Sequence, residues 1–358
     1  FPKNVPFLSD SELPSISVLV PARNETDALL QCLNSLTAST YPKMEVIVLD
    51  DCSSNPRTAD IIKQYAHDGV RFIRGTQPQD HWLAKNHAYN QLVENSNGEY
   101  LVFCGVDVQM APDALRRLVS FAVTNKRDMV SVMPQRHADA RRGLAILQSM
   151  RYYWELAFPR RLFKRPPVLS TTWLVKRDAL ESYGGLASVA QAITPEAYFA
   201  KKAVIANAYS FIRSDEDLVL LSTKTHDEQY ATTVRIRYPQ IHRRLELVCL
   251  VTLFQLAVFI GPFIGLALVQ LTPSPLMYSL TWLVCIASLT ATYMIASVYT
   301  RLSEPLIGLM APFFGYVTDI GMLHISMFKY EFSNVYWKGR NVCVPVMHVI
   351  PRLPKLPD

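Results

Sequence analysis

Several polar residues in the first half of the chain stand where an α/β protein places its ligand contacts. Asp50-Asp51 closes the apolar run Glu45–Leu49. Asp107 stands just past the apolar run Tyr100–Cys104. Pro21-Ala22-Arg23-Asn24-Glu25 follows the β-branched run Ile16–Val20. Runs of Val, Ile and Leu without polar alternation read as strands buried on both faces. In open sheets of such strands, ligands bind beyond the carboxyl ends, so carboxylates at those ends are placed to accept hydrogen bonds from a ligand. None of these loops matches a GxxxxGK[ST] or GxGxxG pattern, which takes away the usual support for kinase or dinucleotide chemistry.

The elements that must hold these residues follow from periodicity. Leu29, Leu30, Leu33 and Leu36 recur at helical spacing after the first strand. A helix near Thr58–Ala66, a strand Val70–Ile73 and a helix near Leu83–Glu94 lead to the strand Tyr100–Cys104. Strands alternating with helices of about ten residues predict an α/β fold with a parallel sheet.

The second half differs. Leu247 to Thr300 carry no charged side chain. A helix crossing the hydrocarbon needs about 20 apolar residues, and Leu247–Leu271 and Leu276–Thr300 each suffice, with a turn at Thr272–Pro275. A third segment, Glu304–Phe328, holds Pro305, Pro312, Gly315, Asp319, Gly321 and His324, and is expected to be broken, re-entrant or interfacial. Arg235, Arg237, His242, Arg243 and Arg244 precede the first span, while its outer turn is uncharged. The excess of basic residues puts the head in the cytoplasm. A re-entrant third segment would return the basic tail, with Lys329, Lys338 and Arg340, to the same side.

Composition fits this layout. The apolar fraction is 50% and the formal charge +6. That charge suits an anionic membrane surface or a phosphate-bearing substrate and is too small to argue for nucleic acid. The six cysteines contain no CxxC pair, so a disulfide framework or zinc site is not expected. The chain begins at Phe1, and an upstream anchor helix is conceivable.

Taken in order, several short stretches resemble glycosyltransferase family 2, whose members have the GT-A fold. Val20-Pro21-Ala22-Arg23-Asn24-Glu25 is similar to the opening strand and loop. Val48-Leu49-Asp50-Asp51-Cys52-Ser53 resembles VDDGS, with Cys52 in place of Gly. His81-Trp82-Leu83-Ala84-Lys85-Asn86 resembles the GWLGKN of a subgroup that glucosylates carotenoids and related membrane lipids. Gly98–Phe103 resembles the lead-in to a DxD motif. Gln240-Ile241-His242-Arg243-Arg244 resembles QxxRW, and Trp337-Lys338-Gly339-Arg340 the WKGR that follows the membrane segments. Two departures stand out: the DxD is here Gly105-Val106-Asp107, and the acidic ED pair is Pro195-Glu196.

The resemblance implies roles. Pro21, Ala22, Arg23, Glu25, Asp50, Asp51, Lys85 and Asp107 would bind a nucleotide-sugar donor, with Asp50 and Asp51 accepting hydrogen bonds from base and ribose. Asp107 would hold Mg²⁺ or Mn²⁺, weakly because Gly105 supplies no second carboxylate. Glu196 would be the general base, with Asp215-Glu216-Asp217 as the competing candidate. Gln240, Arg243 and Arg244 would grip the acceptor or the diphosphate, or simply anchor the head to anionic lipid. Trp173 and His137 read as packing or surface residues. The resulting expectation is a lead (1–14), a GT-A domain (15–244), a membrane module (245–330) and a basic cytoplasmic tail (331–358). The whole would be a multi-pass plasma-membrane enzyme. It would transfer a hexose, from UDP, to a lipid hydroxyl with inversion. A processive polysaccharide synthase, or a degenerate transferase serving as scaffold or sugar-nucleotide sensor, are the rivals.

Overall fold

The computed structural model describes residues 7–78, 81–136, 146–157, 166–300 and 311–343. The first apolar run forms β1 (Ile16–Ala22), in which Ile16, Val18, Leu19 and Val20 are at most 1% exposed. Burying each such side chain contributes roughly 1.5–3 kcal/mol. Helix α1 (Asp27–Thr37) turns Leu29, Cys32, Leu33 and Leu36 inward and Leu30 outward. Then follow β2 (Met44–Asp50), α2 (Pro56–Gln64), β3 (Val70–Arg74), α3 (Ala84–Glu94) and β4 (Tyr100–Cys104). Asn55 caps α2 by accepting from the Arg57 N–H, with Pro56 at its first position.

The chain continues through β5 (Val108–Met110), α4 (Ala114–Thr124), β6 (Met129–Met133), β7 (Gln135–Arg136), α5 (Ile146–Ala157), β8 (Thr172–Lys176), α6 (Arg177–Ser182), α7 (Pro195–Ile205), β9 (Tyr209–Arg213), β10 (Leu220–Ser222) and α8 (His226–Arg237). Seven strands form one sheet in the order β3-β2-β1-β4-β8-β6-β9. The parallel character holds for β3 through β4 and for β6 with β9, while β8 lies antiparallel between β4 and β6. Trp173 of β8 fixes this insertion: it is fully buried, stacked on Phe103 with centroids 3.9 Å apart, and flanked by Phe199 of α7. A second sheet, β5-β10-β7, lies at the same end as the loop after β4.

Beyond the head come α9 (Leu245–Gln255), a π-helical turn at Leu256–Ile260, α10 (Gly261–Ala267) and α11 (Pro275–Thr300). The π turn precedes Pro262, which has no N–H for the helical ladder. Leu245–Ala267 and Pro275–Ile295 are long and apolar enough to cross a membrane. Their apolar side chains face outward, Leu253 being 63% and Leu276 77% exposed, unlike those of a soluble core helix. The two helices meet at Gly265, where a Cβ would come within 2.4 Å of the Trp282 indole.

The expected break within Glu304–Phe328 falls partly outside the described residues. From Ala311 the chain is one helix, α12 (Ala311–Phe332), followed by the hairpin β11 (Tyr336–Trp337) and β12 (Arg340–Asn341). Helix α12 lies against the head as well as the two long apolar helices. Asp319, 6% exposed, accepts from Arg237 of α8, from Trp154 of α5 at 3.1 Å and from Gln255 of α9 at 2.6 Å. Ser326 adds a second tie, accepting from the Tyr238 N–H and donating to the Val234 carbonyl. Removing one member of a buried pair leaves the other charge uncompensated, at about 3–5 kcal/mol. Asp319→Ala is therefore expected to lower the melting temperature in detergent by several degrees, with Asp319→Asn intermediate. Thermal unfolding followed by tryptophan fluorescence measures this, and an unchanged melting temperature would show that the tie contributes little.

Candidate active site

Three strand ends and two later segments meet at one edge of the main sheet. Asp51 follows β2, and its N–H donates to the Ala22 carbonyl at the end of β1. Asp50 is committed locally, its Oδ1 accepting from the Ser53 N–H at 3.0 Å. Cys52 has φ +52°, the conformation for which glycine is favoured at this turn position. Pro21 and Ala22 are the last residues of β1 and pair with Leu49 and Asp50. Arg23 threads between the loops, donating to the Asp51 and Cys52 carbonyls and, through Nε at 2.8 Å, to the carbonyl of Lys338.

The buried acids of this edge are paired with the C-terminal hairpin. Arg340 Nη1 lies 2.7 Å from both oxygens of Asp51, and Lys338 Nζ 2.7 Å from Glu25 Oε1. Asp51 is 1% and Glu25 8% exposed. Burial pushes both carboxyls above their usual range, against the pull of Arg340 and Lys338 respectively. The hairpin was legible as a motif, WKGR, but its partners were not.

Asp107 lies between β4 and β5. Its carbonyl accepts from the N–H of Thr223, which brings Lys224 Nζ to 3.5 Å from Oδ2. That Oδ2 is buried without a hydrogen-bond partner among the described residues. A Cβ built on Gly105 would sit 2.7 Å from Asp107 Oδ1, so the side of the turn where a first DxD carboxylate would project is open to Asp107 alone. Among the described residues no three His, Cys, Asp or Glu side chains converge as a metal site. The set fits a divalent cation only as one carboxylate ligand whose other ligands come from phosphate oxygens and water, an arrangement usual for Mg²⁺.

Glu196 occupies the first turn of α7, after Pro195. It is 2% exposed, and its Oε2 also lacks a hydrogen-bond partner among the described residues. Lys85, at the start of α3, holds its ammonium 4.0 Å from that oxygen and 5.1 Å from the Tyr89 ring centroid. Burial pushes the Lys85 ammonium down to about 8. Glu196 opposes the shift, while Arg235, Lys224 and Arg151 add to it. The competing acids sit elsewhere: Asp215 accepts from the N–H groups of Asp217 and Leu218, and Glu216 and Asp217 are exposed.

A cleft opens beside Lys85. Trp82, Lys85, Ile193, Arg235, Trp337 and Arg340 are among its lining. Arg235 places its guanidinium over the Trp337 ring, centroid distance 5.5 Å, and burial presses its pKa below the usual arginine range. By sequence Arg235 counts only toward membrane orientation and Lys224 has no role; a single basic residue in a helix or after a strand carries no signal of what lies opposite. Gln240, Arg243 and Arg244 are not in this cleft. Gln240 lies in a short 3₁₀ turn, Arg243 lies 3.8 Å from Glu331 and over Tyr330, and Arg244 pairs with Glu246. His137 lies outside the described residues.

Comparison with known proteins agrees with this geometry. The Glycosyl transferase family 2 profile matches residues 17–184. The chain is 29% identical over 198 residues to the probable glycosyltransferase YdaM of Bacillus subtilis, covering 52% of this chain and 46% of that protein. It is 34% identical over 114 residues to the glycosyltransferase AglE of Haloferax volcanii, covering 31% and 36%. The chain thus spans less than half the length of these curated relatives. Among solved structures, the mannosyltransferase PcManGT from Pyrobaculum calidifontis, in complex with GDP-Man and Mn²⁺, superposes with a TM-score of 0.53 at 17% identity, covering 92% of this chain and 90% of that one. That likeness is one of fold. With strand ends, acids and order in agreement, residues 17–184 form a glycosyltransferase family 2 domain, and the head has the GT-A fold.

Proposed function

We propose that the protein transfers a hexose from a nucleotide donor, UDP-linked by its resemblance, to the hydroxyl of a membrane lipid, with inversion at the anomeric carbon. The observation that carries this reading is Glu196: a buried carboxylate oxygen without a hydrogen-bond partner among the described residues, next to a cation-lined cleft, in a chain whose following helices are apolar and outward-facing. Such an oxygen can take a hydroxyl proton. As the proton moves to Glu196 Oε2, the acceptor oxygen attacks the anomeric carbon. The bond to the diphosphate breaks on the opposite face, and the nucleoside diphosphate leaves. One base without a nucleophilic carboxylate partner implies this single displacement, by the logic that separates inverting from retaining hydrolysis.

Negative charge develops on the leaving diphosphate, and fixed cations in a water-poor site stabilise it. Lys85 and Lys224 are the cations nearest Glu196 and Asp107. Arg235 faces the same cleft. A divalent cation, when bound at Asp107, would supply further neutralisation of the phosphates. Arg243 and Arg244, beside the start of the first span, would steady the head on anionic lipid or receive the acceptor. The basic residues preceding that span orient the head toward the cytoplasm at the plasma membrane.

Three outcomes test this. Glu196→Gln should keep donor affinity within about twofold while transfer falls by roughly 10²–10⁴, the usual worth of a positioned base. The assay offers labelled UDP- and GDP-sugars with a total lipid extract in detergent and counts label in the organic phase. Substantial residual transfer would remove Glu196 from the role. Lys85 must be charged to hold the diphosphate, and its depressed pKa means that this charge is present below about 8 and lost above it. The kcat/KM profile, which reports the free enzyme, should therefore fall on the alkaline side near 8, and Lys85→Arg should move that limb beyond pH 10, since arginine stays charged. Asp107→Asn should abolish any increase in donor affinity on titrating Mn²⁺; an unchanged titration would place the cation elsewhere.

A further inference from the structure

The tip of the C-terminal hairpin occupies the ground that the proposed function gives to the nucleotide. Its base is fixed: Val335 and Val342 are buried with Val234, Tyr238 and Tyr330. Its tip is a two-residue turn in which Lys338 and Gly339 both have positive φ, +48° and +78°. Two central residues with positive φ are the requirement of a type I′ hairpin. For Lys338 that conformation is costly and persists where the surroundings impose it. The turn sends Lys338 onto Glu25 and Arg340 onto Asp51, with Arg340 Nη2 also 3.0 Å from Gln77. Apart from these polar contacts, the Arg23 bond to the Lys338 carbonyl and the Arg235–Trp337 stack also hold the tip.

Both Asp51 oxygens are engaged by one guanidinium nitrogen. A ribose hydroxyl or base N–H reaching for Asp51 must loosen that pair, and a bare nucleoside offers Arg340 no anion in return. A diphosphate does, because guanidinium groups bind phosphate in the same forked manner as carboxylate. Resting on the donor-binding reading above, we infer that Lys338 and Arg340 are donor-site residues contributed from beyond the membrane helices. They hold Glu25 and Asp51 in the arrangement described and exchange onto the donor's phosphates when the nucleotide arrives. In the exchange the phosphates pair both cations, and the ribose or base hydrogen-bonds Asp51. The exchange favours ligands carrying both a base and a diphosphate over those carrying either alone.

The test compares uridine with UDP, and guanosine with GDP, by calorimetry on the full chain in detergent, in the wild type and in Lys338→Gln/Arg340→Gln. Glutamine keeps a hydrogen-bond donor at each position and leaves the hairpin base untouched. Lys338→Gln alone, which keeps the Arg340–Asp51 pair, guards against a folding defect and should show a partial effect. In the double variant the advantage of diphosphate over nucleoside is expected to fall by about tenfold or more, as loss of charged contacts to phosphate implies, while the nucleoside binds as tightly as before or tighter. If nucleoside and diphosphate weaken together, or neither changes, the hairpin only walls the pocket and the inference is overturned. If no pair binds either protein, the donor-binding reading itself fails and the inference falls with it.

Discussion

A buried carboxylate on helix α12 ties the two halves of this protein together. Asp319 gathers donors from α5, α8 and α9, so one acid fixes the register of three helices that start in the head or lead out of it. A charge placed there is costly unless each partner is present, and the cost makes the arrangement specific. Because α12 is seated this way, the few residues after Phe332 are delivered to the sheet edge rather than to solvent. The hairpin contacts at Asp51 and Glu25 depend on that delivery.

The site is organised by charge more than by shape. Cations including Lys85, Lys224, Arg235, Lys338 and Arg340 surround a small set of acids in a largely buried edge. Some pairs are close: Asp51 with Arg340, Glu25 with Lys338. Others are left open. Glu196 and Asp107 each keep one buried oxygen without a hydrogen-bond partner among the described residues, and unsatisfied buried oxygens in native proteins call for a functional explanation. A substrate that brings a hydroxyl to Glu196 and phosphates to the cations completes the pairing. The loss of an acid at Gly105 belongs to the same balance, since Lys224 already faces Asp107.

Much of the fold was readable from local pattern. The runs Ile16–Val20, Glu45–Leu49 and Tyr100–Cys104 lie within β1, β2 and β4, because a strand buried on both faces must be apolar throughout. The acids at their ends were readable too, since the carboxyl end of such strands is where ligands bind. The antiparallel insertion of β8 was not. An apolar run states that it is buried, not which neighbour it pairs with, and the stacking of Trp173 on Phe103 appears only once the sheet is assembled.

By itself the sequence determined the strand–helix alternation, the positions of Asp51, Asp107 and Glu196 within the chain, and two long apolar helices after the head, because each of these is written in neighbouring residues. Tertiary structure alone decided which charges meet. Arg340 reaches Asp51 across 289 residues and Arg237 reaches Asp319 across 82, with the two long apolar helices lying between the partners of each pair. The partner of a charge is set by where long-range closure brings the chain, and closure depends on the packing of all the elements between.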